Sequence, residues 1–264
     1  MQLHVGCSGW NHNAWTGRFY PAKLESKRFL EYYSQIFDFV EIDSTFYKIP
    51  RRQVIMRWAS SSPPHFKFTA KFPQVATHDT RLGGGLGVLD SFLEMMKPLE
   101  PKLLCLLVQL PASLTKDEGL PKLERLIPLL WKKYRYAIDV RHKSWFDRNV
   151  YKLLSRHNMC LAWGQLDSIG TPPELTTDFL YLRFMGDLNT EKDFRKIQKN
   201  KLEEIRSWSG SVKEAKKKVK FAIVAADNHY AGFGPETANS FMKMVGLPER
   251  VWKKRLGRED QQTR

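Results

Sequence analysis

Eight short apolar runs, each separated from the next by a longer stretch, constrain this chain more than any other feature. The runs cover residues 3–9, 39–47, 65–73, 103–111, 135–143, 159–166, 178–186 and 219–230. Helical spacing of apolar side chains fills most of the gaps, over residues 27–37, 52–61, 86–96, 120–131, 147–158, 191–218 and 235–245. Pro235 after Gly234 marks a helix start, and Gly246 with Pro248 marks its end. One connection departs from the pattern: residues 167–177 contain Pro172-Pro173 and leave little room for a helix. Strand alternating with helix selects a parallel sheet covered by helices. Eight such units close into a (β/α)8 barrel at about 250 residues. The expectation is therefore an α/β fold, a single TIM barrel over residues 1–249 with an irregular sixth connection. A basic C-terminal tail over 250–264 completes the chain.

The competing architecture is an open doubly wound sheet, which usually carries a glycine-rich phosphate turn after its first strand. Here the first strand runs into Cys7-Ser8-Gly9-Trp10, which lacks the G-x-G-x-x-G spacing. Gly83-Gly84-Gly85 with Gly87 is not followed by G-K-[ST], so it is no P-loop. No apolar run approaches the roughly 20 residues of a membrane helix, and the N-terminal residues do not read as a signal peptide. Cys7, Cys105 and Cys160 each sit inside an apolar run without a C-x-x-C partner. Small buried hydrophobes in a reducing cytoplasm are the expectation for them.

Facing along each strand decides which polar residues meet inside a barrel, because successive side chains alternate. In the second run Val40 and Ile42 read outward, leaving Glu41, Asp43 and Thr45 inward. In the third, Phe66, Phe68, Ala70 and Phe72 read outward, leaving Lys67, Thr69 and Lys71 inward. Gln109 is the lone polar residue near the end of the fourth. Asp139 and Arg141 face in from the fifth, and Tyr181 and Arg183 from the seventh. His4, Gly6 and Ser8 share the inward register of the first, whereas the register of Asp227-Asn228-His229-Tyr230 is ambiguous. Isolated buried charges are prohibitively costly, so these groups either pair as a structural layer or line a wet cavity.

The same segments carry a family resemblance. Gly6-Cys7-Ser8-Gly9-Trp10, Val40-Glu41-Ile42-Asp43-Ser44-Thr45-Phe46-Tyr47 and Phe66-Lys67-Phe68-Thr69-Ala70-Lys71-Phe72-Pro73 come first. Gln109-Leu110-Pro111, Arg141-His142-Lys143-Ser144-Trp145-Phe146, Tyr181-Leu182-Arg183-Phe184-Met185-Gly186 and Asn228-His229-Tyr230-Ala231-Gly232 follow in order. In these the chain resembles the YecE-like family, a domain family of unknown function. The resemblance implies a TIM barrel and no particular reaction; a comparison of that family with endonuclease IV-like barrels points toward nucleic acid. Asp139, Asp227 and Met185 stand where the family usually has Glu, Asn and His.

Three functions follow as expectations. The first is a barrel that binds or acts on nucleic acid or another phosphate-containing ligand at its C-terminal face. Arg141, Arg183 and Lys71 would hold the phosphate, with Glu41 or Asp139 as base. Gln109, Thr45, Tyr47, Trp10, Trp145, His142, Asn228, His229 and Tyr230 would line the site, and its aromatic members would stack bases. The second is a metal-free enzyme on a small sugar or phosphorylated metabolite, in which either paired carboxylates with an aromatic wall act on a glycoside or a desolvated Lys71 forms a Schiff base. The third is a non-catalytic nucleic-acid-binding protein using the formal charge of +15, concentrated in residues 192–220 and in Arg250, Lys253, Lys254, Arg255 and Arg258. The bland counterpart is a lysine-rich surface kept for solubility. No metal-ligand spacing appears among the seven histidines, so neither metal nor cofactor is expected. His12, His78, His142 and His229 fall in the loops that follow strands. Phe29, Tyr33 and Phe37 recur at helical spacing and belong to the core. Trp131 and Trp208 should cover helix–barrel seams.

Overall fold

A computed structural model describes residues 1–84, 86–166, 169–186 and 193–252. Nine parallel segments form one sheet: β1 (Gln2–Ser8), β2 (Phe39–Ile42), β3 (Lys67–Lys71), β4 (Leu103–Gln109) and β5 (Tyr136–Asp139) come first. They are followed by β6 (Cys160–Leu161), β7 (Trp163–Gln165), β8 (Phe179–Phe184) and β9 (Phe221–Ala226). Their order is β6-β5-β4-β3-β2-β1-β9-β8-β7. The two ends of that order are one residue apart in the chain. β6 pairs with β5, β7 pairs with β8, and Ala162 between them donates its N–H to Ile138. One split strand thus joins both sheet edges, and nine segments occupy the eight positions of a TIM-like barrel.

Helices α1 (Phe29–Tyr33), α2 (Arg52–Ser60), α3 (Leu86–Met96), α4 (Lys116–Leu126), α5 (Arg148–Arg156), α6 (Leu202–Ala215), α7 (Asn228–Ala231) and α8 (Gly234–Met244) accompany the strands, with short 3-10 and π segments between. The expected irregular sixth connection is present. From Ile169 to Asp178 there is no helix, and the segment folds back along the split strand instead. Thr176 Oγ1 accepts from Leu161 N–H at 2.8 Å and donates to the Met159 carbonyl at 2.7 Å. Trp163 Nε1 donates to the Glu174 carbonyl at 2.8 Å. These bonds satisfy backbone that a covering helix would otherwise shield.

Two expected strands end early and one expected helix begins late. The second strand stops at Ile42 and turns into a 3-10 segment over Ser44–Phe46. The eighth run stops at Ala226, where Asp227 caps α7 by accepting the His229 N–H at 2.8 Å. The helix expected from 191 begins at Leu202; residues 191 and 192 lie outside the described set. Ahead of it the chain is drawn aside, with the Gln198 and Lys199 N–H groups both directed at the Ala231 carbonyl. A tertiary partner for the backbone overrides local helix preference there.

The strand residues divide as alternation requires. Val40, Ile42, Phe68, Ala70, Ile138, Leu180, Leu182 and Phe184 join the helices in the large outer core, with Phe29, Tyr33 and Phe37. Phe39, Cys105, Leu107, Ala137, Cys160, Tyr181, Ile223 and Ala225 fill the barrel. Trp208 packs on Trp163, and Trp131 lies between Lys97 and Lys133. All three cysteines are free thiols and buried. Two glycines are required by close approach: a Cβ at Gly6 would strike the Phe39 carbonyl, and one at Gly186 the His229 carbonyl. Residues 250–252 stay on the body of the molecule. Trp252 is buried against Phe19 and Phe233, and Arg250 reaches Asp38 at 3.2 Å. The remainder of the basic tail, with Lys253, Lys254, Arg255 and Arg258, lies outside the described residues, as does Lys192. Among the described residues no helix is long and apolar enough to cross a membrane.

Candidate functional site at the barrel mouth

Register brings the charged side chains together. Ser8 lies opposite Glu41, Glu41 opposite Thr69, and Gln109 opposite Asp139, so all point inward near the C-terminal ends of their strands. Arg183 enters from β8 and lies at the centre. Its Nε donates to Glu41 Oε2 at 2.9 Å and its Nη2 to Glu41 Oε1 at 2.7 Å, a bidentate fork. Its Nη1 is shared between Gln109 Oε1 at 3.1 Å and Asp139 Oδ2. Glu41 also accepts from Ser8 Oγ and from Tyr181 OH, each at 2.6 Å. Arg141, just beyond β5, folds back on Asp139 through Nε at 2.9 Å and Nη2 at 2.8 Å, and reaches Gln109 at 3.2 Å.

Burial splits this network in two. Arg183 and Glu41 have no exposed surface. Burial alone would raise the Glu41 carboxyl, but Arg183, Lys71 and the hydrogen bonds outweigh it and hold it down to about 2. Asp139 is likewise held below its usual range against burial by Arg141 and Arg183, and Arg183 is raised by its two carboxylates. Glu41 accepts four hydrogen bonds, from Arg183 twice, Ser8 and Tyr181, and Asp139 accepts three, from Arg141 twice and Arg183. Both carboxylates are thus bound to Arg183 and, for Asp139, to Arg141 as well.

Lys71 and Arg141 form the open half, with 13% and 12% of their side chains exposed. Lys71 Nζ stands 4.0 Å from Glu41 Oε1 and 5.9 Å from the centre of the Phe46 ring. Burial and Arg183 lower its ammonium below the usual lysine value, against the pull of Glu41, Asp43 and Asp227. Asp43 moves the other way: burial raises its carboxyl, with Glu41 and Asp227 adding to the rise and Lys71 and His12 opposing it. His78, on the turn after β3, packs its ring edge-on to Phe46 at 4.9 Å, and burial, Arg141 and Lys71 lower it. Four carboxylates (Glu41, Asp43, Asp139 and Asp227) thus stand with three cations (Lys71, Arg141 and Arg183), and the mouth carries no excess of positive charge.

Several residues expected at the mouth are placed elsewhere. Thr45 is buried and donates to the Lys71 carbonyl at 2.8 Å, because β2 ends before it and alternation no longer governs its direction. Trp145 is buried under α4, its Nε1 donating to the Leu114 carbonyl at 2.8 Å and its ring filling the space left by Gly119. Tyr230 is buried against Phe184, with its hydroxyl 3.3 Å from Glu204 Oε2. Asn228 is buried too; its Oδ1 accepts from Trp15 Nε1 and Gly234 N–H, each at 3.0 Å. None of these four presents a face to a ligand. His142 binds Ser144 Oγ through Nδ1 at 2.8 Å, fixing the turn after β5. His229 sits beside Phe194, 4.7 Å between rings. Tyr47 is 79% exposed and Trp10 half-buried against Trp58. Asp43 and His78 are recognisable in the sequence as an inward and a loop position, but their shared neighbour Lys71 appears only in three dimensions. Among the described residues no group of three or more His, Cys, Asp or Glu side chains is arranged to hold a metal ion.

Comparison with known proteins agrees with the barrel fold. A DUF72 protein of Thermotoga maritima has a solved structure that superposes with a TM-score of 0.81 at 28% identity, over 93% of this chain and 100% of that one. A DUF72 protein of Enterococcus faecalis, at 23% identity and a TM-score of 0.76, shares the fold. The UPF0759 protein YecE of Escherichia coli is 30% identical over 146 residues, 55% of this chain and 51% of YecE, so the match spans about half of that relative. The UPF0759 protein YunF of Bacillus subtilis is 23% identical across 93% of this chain and 95% of its own length. The family model described as protein of unknown function DUF72 matches residues 4–262, and the chain belongs to that family.

Proposed function

We propose that the barrel mouth is a metal-free active site in which Lys71 attacks a carbonyl carbon of a small substrate. The observation that carries this reading is one pair of neighbours. Lys71, 4.0 Å from Glu41 Oε1 on the open side of the mouth, is an amine whose pKa burial and Arg183 lower, and Asp43, which acts on it electrostatically without an ion-pair contact, is a carboxyl whose pKa burial raises. An amine disfavoured as ammonium is available as a nucleophile, and a carboxyl disfavoured as carboxylate can supply a proton. The neutral Nζ forms the C–N bond, and the carbonyl oxygen leaves as water with one proton from Nζ and one from Asp43. An iminium at Lys71 and a carboxylate at Asp43 remain. The buried Glu41–Arg183–Asp139 core fixes the positions of Lys71 and Arg141, and Nη1 of Arg141, outside its bonds to Asp139 and Gln109, can meet an anionic substituent.

The reaction is tested by borohydride trapping followed by peptide mass measurement, using glyceraldehyde 3-phosphate, pyruvate and ribose 5-phosphate as carbonyl probes. A reduced adduct on Lys71 that disappears in Lys71→Met is the expected result. Absence of any adduct on Lys71 with all three probes would overturn the reading.

A second reading is favoured by the formal charge of +15. In it the outer surface binds nucleic acid without catalysis, through exposed lysines such as Lys213, Lys216, Lys217 and Lys218. A phosphate at the mouth itself is less well served, because the donors of Arg183 are already committed to Glu41, Asp139 and Gln109.

A further inference from the structure

Beside the mouth, between α1 and α2, lies a cleft of about 320 Å³ that the Lys71 chemistry does not use. That volume is at the small end of ligand sites, which run from about 300 to 1,000 Å³. One wall is aromatic. Trp10 and Trp58 are half-buried and meet edge to face, 5.3 Å between centres at 87°. The rim is polar, with Asn11, Ser26 and Ser44. Arg57 on α2 projects into it from an exposed position, and no hydrogen bond or ion pair engages its guanidinium among the described residues. Lys27 on the opposite side is paired to Glu25 at 2.6 Å. The inner end of the cleft is Asp43, the carboxyl that neighbours Lys71.

Each part selects for a chemical group. A planar guanidinium without a protein partner suits a phosphate, which it can grip with two parallel donors. Indole faces suit the C–H face of a sugar or a flat ring, and the hydroxyl and amide rim suits a polyol rather than a hydrocarbon. Asp43, at one end of the cleft, is also a charge that acts on Lys71, so that end faces the mouth. The geometry points to a phosphorylated sugar as the ligand of this cleft, its phosphate on Arg57 and its carbonyl end toward Lys71. The position of the carbonyl rests on the Lys71 reading; the affinity of the cleft does not.

The two are separated by measuring binding calorimetrically and trapping covalently on the same proteins. Glyceraldehyde 3-phosphate, ribose 5-phosphate and glucose 6-phosphate are titrated beside unphosphorylated ribose and glucose, inorganic phosphate and adenosine monophosphate. At least one phosphorylated sugar should bind ten-fold or more tighter than its unphosphorylated parent. Arg57→Ala should weaken that binding ten-fold or more with its melting temperature unchanged, and Arg57→Lys should fall between. Lys71→Met should lose the adduct while keeping the Arg57-dependent preference for the phosphorylated sugar over its unphosphorylated parent. Arg57→Ala binding like the unaltered protein, no binding of any of the three sugars, or preference for adenosine monophosphate would each overturn the cleft assignment. Arg57-dependent binding without an adduct on Lys71 would overturn the Lys71 chemistry and leave the cleft standing.

Discussion

The two ends of the barrel handle charge in opposite ways. At the mouth, where strands end, Glu41, Asp139 and Arg183 are sealed inside and fully paired, and only Lys71 and Arg141 show partial exposure. At the other end, where strands begin, the interior is closed by aromatic rings: Phe179 stacks on Phe221 at 5.2 Å, His4 packs edge-on to Phe221, and Arg135 lies over it. The cations there sit outside, on the approaches to β5 and β9, as Lys132, Lys133, Lys216, Lys217, Lys218 and Lys220. Charge on the outside costs nothing to solvate, so it accumulates freely. Charge inside must be matched, so the mouth is near balance although the chain carries +15. Net charge therefore describes the surface of this molecule and says little about its interior site.

The largest expected effect breaks the mouth. Arg183→Met removes the cation from two buried carboxylates while conserving much of the volume. Leaving a buried charge uncompensated costs about 3–5 kcal/mol, and urea unfolding should show a loss of that order. Adding Glu41→Gln should recover part of it, since contacting groups are not additive. An Arg183→Met protein as stable as the original would mean that water reaches Glu41, and the contrast between the two ends would fail.

Acid titration separates the ends by pH. His4, at the closed end, is lowered by burial and by Lys67 to about 4 from the usual 6.5. A histidine lowered in the folded state is favoured neutral, so its contribution is complete above pH 6.5 and is lost as pH falls toward 4. The difference amounts to at most roughly 3 kcal/mol. Glu41, at the mouth, is lowered to about 2 from 4.5, so its contribution is complete above pH 4.5 and is lost below, toward pH 2. Chemical denaturation at stepped pH should show two successive losses, and His4→Phe should shrink the upper one, to which His78 also contributes, without changing the lower. A stability curve flat from pH 6.5 to 4.5 in the unaltered protein would show that His4 is not held neutral.

Much of the fold was legible because periodicity reports facing. Alternation put Glu41, Asp139, Tyr181 and Arg183 inside from sequence, and each has that orientation. The reading faltered where the strand ends, because alternation holds only while the chain is extended. Thr45 lies after β2 has turned, and Asn228 and Tyr230 belong to a helical turn capped by Asp227. Trp145 follows a strand, as a base-stacking residue would, but Gly119 on a distant helix makes the hole that buries it. Nor does facing reveal how deep an inward group lies. Glu41 and Lys71 both point in, yet one is sealed and the other meets solvent.

Lys71→Met tests that difference of depth. Lys71 is not clamped as Arg183 is: one carboxylate oxygen lies at 4.0 Å, and burial already disfavours its charge. Its loss should change stability by about 1 kcal/mol or less, while abolishing the covalent adduct. A loss comparable to Arg183→Met would place Lys71 in the structural core and take it out of the chemistry.

The smallest effect on stability is expected at the outer surface, from Lys216→Glu, Lys217→Glu and Lys218→Glu combined. These side chains are exposed and enter no ion pair among the described residues, so the melting curve should move by no more than about 0.5 kcal/mol for each. Their value lies in a salt series with duplex DNA and single-stranded RNA. Counterion release makes such binding fall steeply with salt, in proportion to the phosphates neutralised. If the closed end carries the nucleic-acid surface, the triple variant should lose affinity and flatten the salt slope, while Arg141→Ala at the mouth should leave both unchanged. The reverse pattern would assign phosphate recognition to the mouth despite its near balance of charge. Binding that both variants leave untouched would remove the outer lysines of this end as a nucleic-acid site and leave them as solvated charge.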